Sequence, residues 1–156
     1  MAARRLRTDA TSRMVARGRY EWDIASDVAV IESVVSELVS LCRSAGFTGR
    51  HCRLNVPVAV TEALANAVMR GNKNEKSRMV HVAAKIDSGE LVVDVTDQGD
   101  GFDPLSVCFG PDDSNWLERE DGRGLFLMRS LMDEVQHHCA APPSSGHTVR
   151  LVLRRA

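Results

Sequence analysis

The sequence predicts an α/β two-layer sandwich, with a mixed, mainly antiparallel sheet and its helices on one face. Three observations carry that expectation. Strand-like alternation recurs in five places, helical spacing in three, and the order is strand, two helices, hairpin, loop, helix, two strands. Strands paired locally with helices gathered between them suit two layers. A doubly wound parallel sheet needs regular strand–helix alternation, which this order lacks.

The elements follow in turn. Residues 20–25 (YEWDIA) alternate apolar and polar and read as a strand. Ser26 or Asp27 can cap the helix that follows, where Val28, Ile31, Val34, Val35, Leu38, Leu41 and Cys42 recur at helical spacing up to Gly46. Residues 55–69 form a second helix, with Asn55 as N-cap, Pro57 in the first turn and Gly71 closing it. Residues 79–87 and 90–96 alternate as two strands joined at Ser88-Gly89, a hairpin spacing. The stretch 102–121 is rich in Pro, Gly, Asp and Ser and reads as a long loop. GLFLMRSLM over 124–132 is a short apolar helix, and 134–140 and 147–153 are closing strands around a turn at 142–146.

Composition bounds the function. The chain has 156 residues, enough for one domain with a sizeable core. Its net charge of −1 offers no electrostatic footprint for direct nucleic-acid binding. Residues 1–19 hold six arginines against one acid, Asp9, and read as a basic, disordered leader before a domain spanning 20–156. No apolar h-region opens the chain, and no apolar run approaches the roughly 20 residues a spanning helix needs. A cytoplasmic protein is expected, with Cys42, Cys52, Cys108 and Cys139 as free thiols. His137, His138 and Cys139 are adjacent, but strand neighbours point to opposite faces, which is poor metal-ligand geometry.

Three motifs carry chemistry. On the second helix, Glu62 and Asn66 lie four apart on one face. An amide oxygen suits a hard cation, and a carboxylate can take a proton from an attacking hydroxyl. Ala63, Ala65 and Ala67 leave room for a ligand or the sheet to approach, whereas Leu64 and Val68 lie on a core-facing stripe. The second motif, Asp97-Gln98-Gly99-Asp100-Gly101-Phe102, follows a strand directly. Its glycines admit a tight turn and close ligand approach, and its carboxylate can accept from an exocyclic amine. A calcium loop is excluded, because Pro104 follows Asp103 and no acid falls at the required offset. The third, Gly122-Arg123-Gly124-Leu125, is a Gly-x-Gly expected to run into a helix N-terminus, a favourable place for phosphate. Neither the Walker pattern nor the dinucleotide fingerprint is present.

In this order the three motifs resemble the N, G1 and G2 boxes of the GHKL ATPase and kinase superfamily, whose ATP-binding domain has the Bergerat fold. The run from Glu62 through Asn66, Arg70, Gly71 and Asn72, the Gly122–Met128 stretch, and Gly146-His147-Thr148 resemble the small anti-sigma factor serine kinases in particular. The resemblance covers roughly residues 20–154. It implies ATP and Mg²⁺ as ligands, with Glu62 as general base, Asn66 on the metal and Asp97 on the adenine amino group. Gly99, Gly101 and Phe102 would shape the base pocket, with Thr148 near adenine. Gly122, Arg123, Gly124 and Leu125 would wrap the phosphates, and 103–121, with Trp116, would form a lid. Arg70 stands where histidine is common in the family, either reaching a phosphate or simply solvated. The resemblance further implies a STAS-domain anti-sigma-factor antagonist as substrate, an alternative sigma factor as second partner, and a homodimer. Glu32 and Glu37 on the first helix are candidate partner contacts. The alternatives are a nucleotide-binding regulatory module without kinase activity and a degenerate histidine-kinase-type catalytic domain.

Overall fold

The computed structural model describes residues 12–99, 120–139 and 146–155. Six strands, β1 (Arg13–Ala16), β2 (Arg19–Ala25), β3 (Met79–Ile86), β4 (Glu90–Asp97), β5 (Glu134–Cys139) and β6 (His147–Arg154), form one sheet in the order β1-β2-β3-β4-β6-β5. Every described pairing is antiparallel, so the mixed component expected from the sequence is replaced by a uniformly antiparallel ladder. Among the described residues, three α-helices, α1 (Ile31–Ser44), α2 (Val56–Asn66) and α3 (Glu120–Leu131), accompany the sheet. The chain between β4 and β5 passes through α3, and β6 then inserts between these two strands.

Period-two burial shows which sheet face meets the helices. Val80, Val82, Ala84 and Ile86 on β3 are buried, as are Leu91, Val93 and Val95 on β4 and Val149, Leu151 and Leu153 on β6. Against them pack Ile31, Val34, Val35, Leu38, Val39 and Cys42 of α1 and Val56, Ala59, Val60, Ala63 and Leu64 of α2. The opposite face carries charge, including a two-pronged Arg150–Asp94 pair with both contacts at 2.8 Å. Asp27 caps a 3₁₀ turn ahead of α1 by accepting from the Ala29 N–H. Gly46, at φ 101°, ends α1 as expected: its N–H bonds Arg43 and that of Phe47 bonds Cys42, a Schellman pattern that buries Phe47.

Three expectations change. The folded chain begins before residue 20, because β1 forms within the basic segment and pairs with β2. Ser12 donates from its N–H and hydroxyl to Glu37, which also accepts from Trp22 Nε1 at 2.9 Å. Glu37 therefore ties the first strands to α1 rather than standing open to a partner; Glu32 is exposed. Asn55 is not a cap: its backbone is already helical and its Nδ2 donates to Leu131 O at 2.6 Å, joining α2 to the end of α3. The helical run in fact starts upstream, through a wide π turn over His51–Asn55. Pro57 has no N–H to continue a regular ladder, and a wide turn in front of it absorbs that loss.

Candidate functional site

A second π turn, Ala67–Gly71, follows Asn66 directly, and the Asn72 N–H reaches back to Ala67 O at 2.8 Å. Gly71 closes this run, but not by adopting a left-handed backbone, which falls instead to Lys73 (φ 51°) and Asn74 (φ 57°). Gly71 is required by contact: a Cβ there would lie 2.2 Å from Asp97 Oδ2. Gly99 is tighter still, since a Cβ would meet Gly71 O at 1.7 Å. The end of the first motif and the turn of the second are thus packed backbone against backbone.

Asn72 fastens the same junction. It is fully buried, donates from Nδ2 to Ser26 Oγ (2.8 Å) and Met79 O (3.0 Å), and accepts the Gln98 N–H on Oδ1 (2.8 Å). One amide therefore links the α2 run to segments beside β2, β3 and β4. Asn72 stands at the end of the run quoted above, and its role as a clamp was not anticipated.

The third motif meets the first. A Cβ on Gly124 would lie 2.8 Å from Glu62 Oε2 and 3.5 Å from Asn66 Nδ2, so α3 crosses α2 at the predicted polar pair. Here the local structure differs from expectation. The described helix spans Glu120–Leu131, so Gly122, Arg123, Gly124 and Leu125 lie within α3 rather than in a loop ahead of it. The phosphate site cannot then be a helix N-terminus at 124. What Gly124 supplies is helix–helix proximity. Gly101, Phe102, Trp116 and most of the proposed lid lie outside the described residues.

Between α2, α3 and the sheet lies a cavity of about 110 Å³. Asn66, Arg70, Asp97 and Leu125, four of the residues singled out in the sequence, line it, and Ala63 and Ala67 supply the small wall. Val95, Met128 and Val149 add apolar wall. Glu62 does not line this cavity; it stands one turn before Asn66, at the Gly124 contact. Thr148 is misassigned. It lies on the opposite sheet face, with its hydroxyl bonded to that of Thr96 at 2.8 Å. His147 takes the inward position, 2% exposed, and lines the cavity with His137. Strand parity from the buried Val149 was the missed signal: 147 shares its face and 148 does not.

Burial sets the electrostatics. Asp97 is 3% exposed, and its pKa is raised by desolvation despite N–H donors from Gly99 and His147. Burial lowers His137 from the usual 6.5 to about 4, with repulsion from His147, Arg129 and His138 adding to it; His147 is lowered too, chiefly by burial. For a histidine lowered on folding, the stabilising contribution is full above 6.5 and is lost as pH falls toward the folded value. Asp97 runs the other way, because its raised value makes the anion costly and favours the fold at low pH. The melting temperature is therefore expected to fall between about pH 6.5 and 4 through the histidines, with Asp97 offsetting part of it. His137→Phe should flatten that slope in thermal melts followed by circular dichroism; a slope equal to that of the unsubstituted chain would show that His137 does not titrate as inferred.

The fold and the meeting of three motifs around one cavity define a class. The chain belongs to the histidine kinase-like ATPase domain family, whose model matches residues 24–153. Among named relatives it is similar to the serine-protein kinase RsbW of Staphylococcus epidermidis, 35% identical over 101 residues covering 61% of each chain. It is also similar to RsbW of Bacillus licheniformis, 37% identical over 87 residues covering 53% of this chain and 54% of the relative. The anti-sigma F factor of a Thermoanaerobacter species is 29% identical over 98 residues, covering 62% of this chain and 66% of the relative. The chain thus matches about three fifths of the length of the first of these relatives. No helix among the described residues is long and apolar enough to cross a membrane.

Proposed function

We propose that this chain is an ATP-dependent protein serine/threonine kinase that acts as an anti-sigma factor. In this reading it phosphorylates a STAS-domain anti-sigma-factor antagonist and sequesters an alternative sigma factor when the antagonist is not available. The observation that carries the reading is the meeting of Glu62 and Asn66 with Gly124, beside a cavity that Asn66 shares with the buried Asp97. A nucleotide suits these groups. Asp97 offers a buried acceptor for a base amino group, the apolar walls take the ring, and Asn66 and Arg70 supply an amide and a cation for the phosphate end. The names of the similar proteins support the kinase and anti-sigma roles.

Each residue then has a task. Asn66 would hold Mg²⁺, which when bound neutralises phosphate charge. Glu62 takes the proton from the acceptor serine hydroxyl, and that oxygen bonds the γ-phosphorus as the bond to the β–γ bridging oxygen breaks and ADP departs. Arg70 balances phosphate charge. Phosphate on the antagonist adds a charge of about −1.5 to −2 at its surface, enough to dissociate a closely packed complex. A homodimer is part of the same reading.

Mixing the chain with γ-labelled ATP, Mg²⁺ and a STAS-domain protein from the same genome should place label on a serine or threonine of that protein. Bound ATP with no label on any such protein would overturn the kinase reading in favour of a regulatory nucleotide-binding module.

A further inference from the structure

At its far end β4 parts from β3, and one side chain stands in the gap. Asp87 and Glu90 form a hydrogen-bonding pair at the hairpin, where the Asp87 N–H reaches Glu90 O at 3.1 Å. Counting by twos along the ladder, through Lys85–Val92 and His81–Thr96, brings Met79 and Gln98 to a position of the same kind. In a continuous ladder the Gln98 N–H would donate to Met79 O. Instead it donates to Asn72 Oδ1 at 2.8 Å, while Met79 O accepts from Asn72 Nδ2 at 3.0 Å. The Met79 N–H turns to the Gln98 side chain, donating to Oε1 at 2.7 Å. The Asn72 amide is thus interposed between two backbone groups that the sheet would otherwise join.

The backbone partners fix which way this amide points. A peptide N–H can only donate and a peptide carbonyl can only accept, so oxygen faces Gln98 and nitrogen faces Met79. The second Nδ2 hydrogen goes to Ser26 Oγ at 2.8 Å, and that hydroxyl donates to Arg78 O at 2.6 Å. An aspartate of the same shape would set an acceptor against Met79 O. Asn72 is fully buried, spends both N–H groups on protein partners and does not line the cavity. Any influence on a ligand therefore passes through its neighbours, and these enclose Asp97. Gly71, just before Asn72, sits so close to Asp97 Oδ2 that a Cβ there would lie 2.2 Å from it. Gln98 follows Asp97 directly, and the Gly99 N–H turns back onto Asp97 Oδ1 at 3.0 Å. The Asn72–Gln98 bond stitches these two sides together.

We propose that Asn72 is the positioning residue for base recognition: its amide holds the end of β4 open and fixes the Asp97 carboxylate at the cavity wall. Asp97 discriminates an amino group from a carbonyl on the base only while it is held in place, and Asn72 supplies that hold from outside the cavity. Ser26 stands behind Asn72 and steadies it without lining the cavity itself. The inference rests on the reading that this cavity takes a nucleotide base.

Calorimetric titration of the full chain with Mg²⁺ and either ATP or inosine triphosphate, whose base carries a carbonyl in place of the amino group, tests the hold. The unsubstituted chain should prefer ATP. Asn72→Ala should narrow that preference about threefold to tenfold, the worth of one hydrogen bond to the base, chiefly by weakening ATP. Ser26→Ala removes one of the two Nδ2 acceptors and should narrow it in the same direction by about twofold. A residue with a merely structural role lowers stability without moving the preference. Val39→Ala in the α1 core supplies that comparison, with a lower melting temperature and the preference kept. Amide hydrogen exchange adds a local readout: in Asn72→Ala the Gln98 and Gly99 N–H groups should lose protection while those of Val93 and Val95 keep it. An unchanged preference in folded Asn72→Ala, or in Ser26→Ala should the first variant not fold, overturns the inference and leaves the nucleotide site standing. Equal binding of both nucleotides by the unsubstituted chain overturns the Asp97 assignment with it, and failure to bind either overturns the site.

Discussion

Glu62→Ala is expected to keep Mg-ATP binding and to lower phosphoryl transfer about 10²–10⁴-fold, the range of a lost general base. The separation of effects follows from position. Glu62 does not line the cavity, whereas Asn66, one turn on, does. Removing the carboxylate therefore takes away a proton acceptor without removing a wall. Asn66→Ala is the counterpart: it deletes the amide between the cavity and Gly124 and should lose Mg-ATP binding itself. Paired measurements of nucleotide affinity and transfer rate on the two variants check the division. Equal loss of binding in both would mean that Glu62 supports the site structurally rather than taking a proton.

Gly99→Ala is expected to destabilise the fold by about 3 kcal/mol and to impair nucleotide binding with it. The new methyl would lie 1.7 Å from Gly71 O and 2.4 Å from Gly71 C, both backbone atoms that no rotamer change can clear. Relief requires the α2 run and the turn after β4 to separate, which breaks the Gly99 N–H bond to Asp97 Oδ1 (3.0 Å) and the Gln98 bond to Asn72. Chemical denaturation with intrinsic Trp22 fluorescence measures the first effect and titration with ATP the second. A variant as stable as its parent would show that the two backbones separate at little cost. Gly89→Ala is the control, because beyond its two chain neighbours the nearest atom to a new Cβ is the Asp87 side-chain oxygen at 3.6 Å.

Periodicity made most of the architecture legible. The alternation in 79–87, 90–96 and 147–153 and the helical spacing from Ile31 to Cys42 match the buried faces of the sheet and of α1, whereas Val28 is exposed in the turn before the helix, because burial on one face leaves a local trace. β1 left none: all four of its residues are exposed, and the residue before it, Ser12, is held by Glu37, 25 residues away. The start of α3 was missed for a related reason, since two glycines argue locally for a loop, while contact with α2 decides the matter. Asn66, Arg70, Asp97 and Leu125, which the motifs name, all line the cavity. His137 and His147 were not, because motif matching counts residues whereas a strand sorts them by parity.

The π turn after Asn66 has a mechanical meaning. Asn66, proposed for the phosphate end, and Gly71, the glycine against which Asp97 rests, ride on one helical run and are separated by that single wide turn. No loop intervenes to absorb slack. The backbone there works as a gauge block, holding the two ends of a ligand's length at a fixed interval. An inserted or deleted residue would shift that interval by about 1.5 Å and rotate one end away from the other.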